Sequence, residues 1–146
     1  MSTAENKAVI RRILEECNKG KESAMAAMDE LCAPDYVYHG TGVFPDMDLA
    51  AGKQMTIAFY TAFPDTHWAA EDLIAEGDKV VVRATLRGTH RGEFMGIPPT
   101  GKAVTFTAIY VSRIAGGKYV EDSGIEDQLG LMQQLGAIPQ MAQTGA

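Results

Sequence analysis

The sequence predicts an α+β fold, in which a curved antiparallel sheet is wrapped around N-terminal helices and leaves an internal pocket. Its 146 residues are 46% hydrophobic and 22% charged, which suits a single globular domain with a substantial core. Apolar residues recur at helical spacing in the first part of the chain, and long alternating runs follow. Helices followed by a strand meander favour helices packed on one face of a sheet, with a concave space between the two.

The first helix begins at a capping box. Ser2 and Glu5 have the S-x-x-E spacing in which the serine caps backbone amides, and the apolar stripe that follows predicts a helix over residues 4–18. Ser23 is placed to cap a second helix, which Pro34 closes. Each of the two cysteines lies on the apolar stripe of one of these helices, so we expect both to behave as small buried side chains.

A third helix follows a short strand. Residues 36–39 (YVYH) have strand composition and precede a loop rich in glycine. Asp46 or Asp48 can cap the third helix, which is predicted over residues 47–63. Its inner stripe includes Phe59.

The rest of the chain has the pattern of two hairpins and a final helix. Each hairpin joins two apolar runs through a short turn that contains glycine and lysine. The final helix is capped by Asp127, whose carboxylate suits a helix N-terminus. The predicted elements are strands over residues 66–75, 80–88, 102–114 and 119–126, a loop over 89–101 and a helix over 127–135.

Charge and composition exclude several classes of protein. The net charge is −6 and no basic patch occurs, so we expect no nucleic-acid partner. No apolar run approaches the roughly 20 residues that span a bilayer, and no targeting segment is recognisable. We therefore expect a cytoplasmic protein with no membrane partner. Because CxxC and HExxH motifs are absent, we predict no metal and no cofactor.

Motifs in the second half of the chain resemble those of a known family. They are the loop of residues 88–102 (GTHRGEFMGIPPTGK), residues 117–121 (GKYVE) and residues 127–136 (DQLGLMQQLG). Together they resemble the SnoaL-like polyketide cyclases, and the resemblance spans residues 5–138. It implies one domain over residues 1–146, with the cone-shaped α+β barrel that is similar to nuclear transport factor 2 and ketosteroid isomerase.

The resemblance implies a cyclase-type enzyme, but two positions depart from the family pattern. Its best-known members look like aldol cyclases, which remove a proton next to a carbonyl without a cofactor. Aligned without gaps from the last helix, the family's catalytic Asp falls on Gly124 and its assisting His on Tyr110. A glycine cannot act as a base, and a tyrosine is a hydrogen-bond donor but a poor base at neutral pH.

Strand alternation offers a replacement base. If position 124 faces the pocket, Asp122 and Val120 share that face, and Phe106 shares the face of Tyr110. Burial there would raise the pKa of Asp122, as a base for a carbon acid requires. The missing side chain at Gly124 is expected to leave room for substrate beside Asp122. A bulge in this strand, or an Asp122 that points to water, would remove this role.

His39 is a second candidate, because a neutral imidazole can exchange a proton near pH 7. A histidine beside aromatic residues is as often structural, so both interpretations stay open. The predicted catalytic set is Asp122, Tyr110 and His39. The residues expected to bind substrate are Phe106, Val120, Phe59, Tyr38 and Met95.

Two functions remain in competition. The first is cofactor-free acid/base chemistry, such as aldol cyclisation or isomerisation, on a small hydrophobic or aromatic substrate of the cyclic or polyketide-like ketone class. The alternative is a non-catalytic protein that binds a small hydrophobic ligand, which Gly124 and Tyr110 favour.

We also expect a homodimer. Strand alternation places Val81, Ile109 and Val111 on the outer face of the sheet. Exposed together, they would form an apolar patch of the kind that marks an interface.

Overall fold

A computed structural model describes residues 2–139 of the chain. Within these residues, helices and strands follow one another as the sequence predicts, with one further strand of two residues. The helices are α1 (Thr3–Cys17), α2 (Lys21–Leu31), α3 (Leu49–Ala62) and α4 (Gln128–Leu135). The strands are β1 (Cys32–His39), β2 (Met47–Asp48), β3 (His67–Glu76), β4 (Lys79–Thr89), β5 (Ala103–Ala115) and β6 (Lys118–Glu126).

The strands form one open sheet in the order β2-β1-β6-β5-β4-β3. Neighbouring strands are antiparallel except β1 and β6, which are parallel. The prediction of an antiparallel sheet is therefore wrong at this pair, and the fold is α+β with a mixed sheet. Parallel partners need a long crossover, and here α3 and the whole meander lie between the two strands.

Side-chain caps fix most of the helix starts. Ser2 accepts a hydrogen bond from the Glu5 amide at 3.1 Å, and Asp127 accepts one from the Gly130 amide at 2.9 Å. Of the two candidates for α3, Asp48 is the cap. The predicted cap at Ser23 is wrong, because α2 begins at Lys21 and the Ser23 hydroxyl instead donates to Glu16.

The helices cover one face of the sheet. α1 packs against α2, β3 and β4, while α3 packs against β1 and β2 and α4 against β5. Alternation along β4 buries every second side chain against these helices, and the buried residues of this strand are Val80, Val82, Ala84 and Leu86. In the described part of the chain, no helix has the length and apolar character needed to cross a membrane.

The outer face of the sheet is partly apolar, as alternation predicts. Ile109 and Val111 of β5 are exposed, and Ile109 pairs with the exposed Ile125 of β6. Val81 lies beside Val111 in the register and is partly exposed. The exposed Ile74 lies beside Val81, so the patch extends from β3 to β6.

Candidate functional site

A cavity of about 330 Å³ lies between the helices and the inner face of the sheet. Its walls are mainly apolar and aromatic side chains of all three N-terminal helices, of β1 and β3 to β6, and of the loop after β4. The polar groups that reach it are few, and they include three carboxylates, those of Asp122, Glu126 and the exposed Glu93. Such a cavity suits a small apolar ligand with a few polar groups to orient it.

Asp122 lies on the inner face of β6 and lines this cavity. It is 8% exposed, and burial raises its pKa to about 7 because the apolar surroundings disfavour the charged form. Hydrogen bonds from Tyr119 and Ser112 act against this rise. The Ser112 hydroxyl lies 3.3 Å from Asp122 Oδ1 and 3.0 Å from the Tyr119 hydroxyl, so all three groups form one polar cluster.

Glu126 is a second carboxylate of the cavity, partly buried, and the sequence analysis did not single it out. The Tyr110 hydroxyl donates to Glu126 Oε1 at 2.6 Å, and Gln128 Nε2 donates to Glu126 Oε2 at 2.7 Å. Burial raises the pKa of Glu126, and these two hydrogen bonds oppose that rise. Strand alternation could have identified it, because Glu126 lies four residues beyond Asp122 and therefore on the same face of the strand.

Tyr110 occupies the space that a side chain at position 124 would need. The two residues are partners in the β5–β6 register. A Cβ placed on Gly124 would lie 2.2 Å from Tyr110 Cδ1 and 2.6 Å from Cε1, far inside van der Waals contact. The expectation that Gly124 leaves room for substrate is therefore wrong, since the Tyr110 ring fills that room.

Two of the predicted site residues lie away from this cavity. His39 is half exposed, with Nε2 3.3 Å from Glu121 Oε2, because alternation along β1 turns it away from the face of Tyr36. Val120 is displaced by a register shift between Arg113 and Ile114, which brings Tyr119 to the cavity instead. Neither His39 nor Val120 contributes to its lining.

The other predicted binding residues lie in or near the cavity. Phe59 of α3 and Met95 of the loop after β4 line it directly. Phe106 is buried behind the lining, with its ring centroid 6.4 Å from that of Phe59. Tyr38 lines a second, neighbouring cavity of about 240 Å³.

The loop of residues 88–102 forms part of the wall. Met95 has a positive φ of 49° and Gly96 one of 81°, which turns the chain between Phe94 and Ile97. His90 is fully buried, and its Nδ1 accepts a hydrogen bond from the Thr100 amide at 3.2 Å. These contacts hold Phe94 and Met95 against the cavity.

The cysteines offer no reactive thiolate. Cys17 and Cys32 both line the cavity, and burial raises their pKa values to about 11 and about 12. Across residues 2–139, no three or more His, Cys, Asp or Glu side chains are grouped as a metal ion would require.

The sequence and the fold both have counterparts among known proteins. A model of the SnoaL-like polyketide cyclase family matches residues 8–135. The chain belongs to this family. Among its SnoaL-like relatives is AcmA, the aklanonic acid methyl ester cyclase of Streptomyces galilaeus. The two chains are 28% identical over 139 residues, and the match covers 91% of this chain and 92% of AcmA. DnrD of Streptomyces peucetius, also an aklanonic acid methyl ester cyclase, is 28% identical to this chain over 130 residues, and the match covers 88% of each chain.

Solved structures show the same SnoaL-like fold. AclR from Streptomyces galilaeus superposes with a TM-score of 0.87 at 28% identity, over 97% of this chain and 87% of AclR. IdmH from Streptomyces antibioticus superposes with a TM-score of 0.79 at 32% identity, over 90% of this chain and 98% of IdmH. The family assignment therefore rests on sequence and on fold together.

Proposed function

We propose that this SnoaL-like protein is a cofactor-independent enzyme that removes a proton next to the carbonyl of a cyclic or polyketide-like ketone, with Asp122 as the base. The observation that carries the proposal is the position of Asp122. It is a buried carboxylate in the wall of an apolar cavity, and its pKa of about 7 lets it both accept and return a proton near neutrality.

The proposed reaction is an aldol cyclisation. The Asp122 carboxylate takes a proton from the carbon beside one carbonyl, and the electron pair of that C–H bond forms an enolate. The enolate carbon then bonds to a second carbonyl carbon of the same molecule, and the resulting alkoxide takes the proton back from Asp122. The hydroxyls of Ser112 and Tyr119, which line the cavity beside Asp122, can donate hydrogen bonds to the developing oxyanion.

Tyr110 has a different role from the one that the sequence suggested. Its hydroxyl is bound to Glu126, so we propose that it positions that carboxylate and does not assist Asp122 directly. His39 has no part in the proposed mechanism, because it lies outside the cavity beside Glu121.

The alternative function is binding without catalysis. It is favoured by Gly124 and Tyr110, since the family's usual Asp position carries no side chain here and its space is filled by an aromatic ring. A proton-transfer assay separates the two functions without knowledge of the natural substrate.

The assay is hydrogen–deuterium exchange of 2-tetralone in D₂O, followed by NMR at the carbons next to the ketone. We expect the protein to accelerate exchange, with a rate that rises with pH and levels off above about 7 as Asp122 loses its proton. Asp122→Asn should still bind 2-tetralone but lose about 10²- to 10⁴-fold in exchange rate.

Glu121→Gln is the matched control, because Glu121 is the neighbouring carboxylate on the outer side of β6, paired with Arg113. It should exchange 2-tetralone as fast as the wild type. Wild-type exchange by Asp122→Asn would overturn the proposed base, whereas no acceleration of exchange by the wild type would leave the binding function in place.

A further inference from the structure

The main cavity has acidic groups in its wall and no basic ones. Three carboxylates line it, whereas no lysine, arginine or histidine of residues 2–139 does. The ion pairs in this part of the chain all involve other carboxylates, so neither Asp122 nor Glu126 is paired with a basic side chain. Carboxylates taken out of water are usually paired with a cation, because their desolvation is costly. The chain itself supplies no such cation to these two groups.

The hydrogen bonds of Glu126 favour its ionised form. The Tyr110 hydroxyl donates to Oε1 at 2.6 Å and Gln128 Nε2 donates to Oε2 at 2.7 Å, so each oxygen acts as an acceptor. Hydrogen bonds donated to a carboxylate stabilise its charged state. A phenol and an amide are neutral donors, so they orient the Glu126 charge without cancelling it. Each oxygen keeps a further lone pair that a ligand can use.

Aromatic rings adjoin both carboxylates. One pair of rings, 5.3 Å apart between centroids, includes the tyrosine that hydrogen-bonds Asp122. A second pair, 5.9 Å apart, includes the tyrosine that hydrogen-bonds Glu126. The faces of such rings attract ammonium groups through their quadrupole. The pairs are Tyr36 with Tyr119 and Trp68 with Tyr110, and all four residues line the cavity.

We propose that the main cavity is also a binding site for an organic ammonium ion with an aromatic body, whose cationic nitrogen pairs with the Glu126 carboxylate. The cavity volume of about 330 Å³ suits an amine of one or two rings. A metal ion fits less well, because no three or more His, Cys, Asp or Glu side chains of residues 2–139 are grouped to hold it. The inference goes beyond the proposed reaction, since it concerns only equilibrium binding.

The test compares three probes that share one ring system and differ in charge. They are 2-(aminomethyl)naphthalene, 2-(hydroxymethyl)naphthalene and 2-naphthoate, which are a cation, a neutral molecule and an anion at pH 7. Their dissociation constants are measured by calorimetry at low ionic strength. We expect the ammonium probe to bind the wild type about tenfold more tightly than the alcohol, and the naphthoate about tenfold more weakly.

Glu126→Gln removes the charge and keeps an oxygen that accepts from the Tyr110 hydroxyl. This variant should bind the ammonium probe and the alcohol about equally. Glu121→Gln is the matched control, because Glu121 lies on the outer side of the same strand and is paired with Arg113. It should keep the full preference of the wild type for the ammonium probe.

Proton release gives a second measurement that does not depend on a variant of Glu126. Burial places the pKa of Asp122 at about 7, so about half of the molecules carry this proton at pH 7. A cation in the same cavity favours the charged carboxylate. Binding of the ammonium probe should therefore release up to about half a proton per chain, measured by calorimetry in two buffers of different ionisation enthalpy. The alcohol should release none, and neither should the ammonium probe with Asp122→Asn.

Three results would each overturn the proposal. They are equal affinity of the wild type for the ammonium probe and the alcohol, an ammonium preference that Glu126→Gln retains in full, and ammonium binding without proton release. Failure of the proposed function is a separate outcome. Normal 2-tetralone exchange without an ammonium preference contradicts only this inference, whereas a strong ammonium preference without 2-tetralone exchange contradicts only the proposed reaction.

Discussion

The ring of Tyr110 lies over Gly124, and this contact places the Tyr110 hydroxyl 2.6 Å from Glu126 Oε1. The two residues that the sequence alignment singles out as departures from the family pattern are thus adjacent, and the size of one limits the size of the other. A glycine at position 124 makes room for the aromatic ring, and the ring brings a hydrogen-bond donor to a carboxylate one pleat further along β6. On β6, the carboxylates that line the cavity therefore lie on either side of position 124, at Asp122 and Glu126.

The first prediction concerns this contact. Gly124→Asp should destabilise the protein by about 3 kcal/mol or more, because the new side chain overlaps the Tyr110 ring and adds a buried charge. Combining it with Tyr110→His, which removes the larger ring, should recover part of the loss. The measurement is unfolding by denaturant, analysed as a double-mutant cycle.

Ser123→Asp is the control for that cycle, because Ser123 lies next in the strand and faces the opposite side of the sheet. It should cost much less than Gly124→Asp. Strictly additive effects of Gly124→Asp and Tyr110→His would show that the ring and position 124 do not compete for space.

The second prediction concerns pH and stability. The pKa of Asp122 is about 7 in the folded state against an ordinary value of 3.8, so the folded state holds this proton more tightly than the unfolded state. Stability should therefore fall as pH rises from about 4 to about 7, and it should change little above that range as far as this group is concerned. A shift of this size corresponds to a cost of up to about 4 kcal/mol at high pH.

Asp122→Asn removes this titration. The free energy of unfolding of the variant, minus that of the wild type, should be larger at pH 8 than at pH 4, so the variant is relatively more stable at the higher pH. Glu126, whose pKa is raised in the same direction, is present in both proteins and largely cancels in the comparison. A difference between variant and wild type that does not change with pH would mean that Asp122 is not desolvated in the folded protein.

The third prediction concerns assembly. We propose that the outer face of the sheet, with Ile109, Val111 and Ile125 exposed, is the contact surface of a homodimer. The protein should sediment as a dimer at micromolar concentration, and Val111→Lys should convert it to a monomer. Ile138→Lys replaces an exposed apolar residue outside the sheet and should leave the dimer intact. A wild-type monomer in the same experiment would contradict the proposal.

Local sequence was sufficient for most of the elements. The periodicity of α1, the capping residues Ser2 and Asp127, and the alternation of β4 and β5 are short-range signals, and the structure confirms them. Alternation also predicted that Asp122 would face inward, because side chains along a strand change face at every residue. Glu126 could have been found by the same rule.

The rest depends on contacts between residues far apart in the chain. The parallel pairing of β1 with β6 joins segments that are about 80 residues apart, and nothing in either segment alone specifies that partner. The register shift near Val120 exchanges it for Tyr119 at the cavity, which strict alternation cannot anticipate. His39 was a candidate because an imidazole can exchange a proton near neutral pH. Its position on β1 instead places it beside Glu121, on the outer side of the sheet.

The amino-acid sequence by itself therefore determined the α+β class, the starts of α1 and α4 and the inward orientation of Asp122, since these follow from spacing along one segment. The tertiary structure alone decided how Tyr110 fills the space above Gly124, and how Glu126 accepts hydrogen bonds from both Tyr110 and Gln128. The physical reason is that burial and van der Waals overlap depend on which side chains the fold brings into the same volume, and that volume is bounded by residues from every part of the chain.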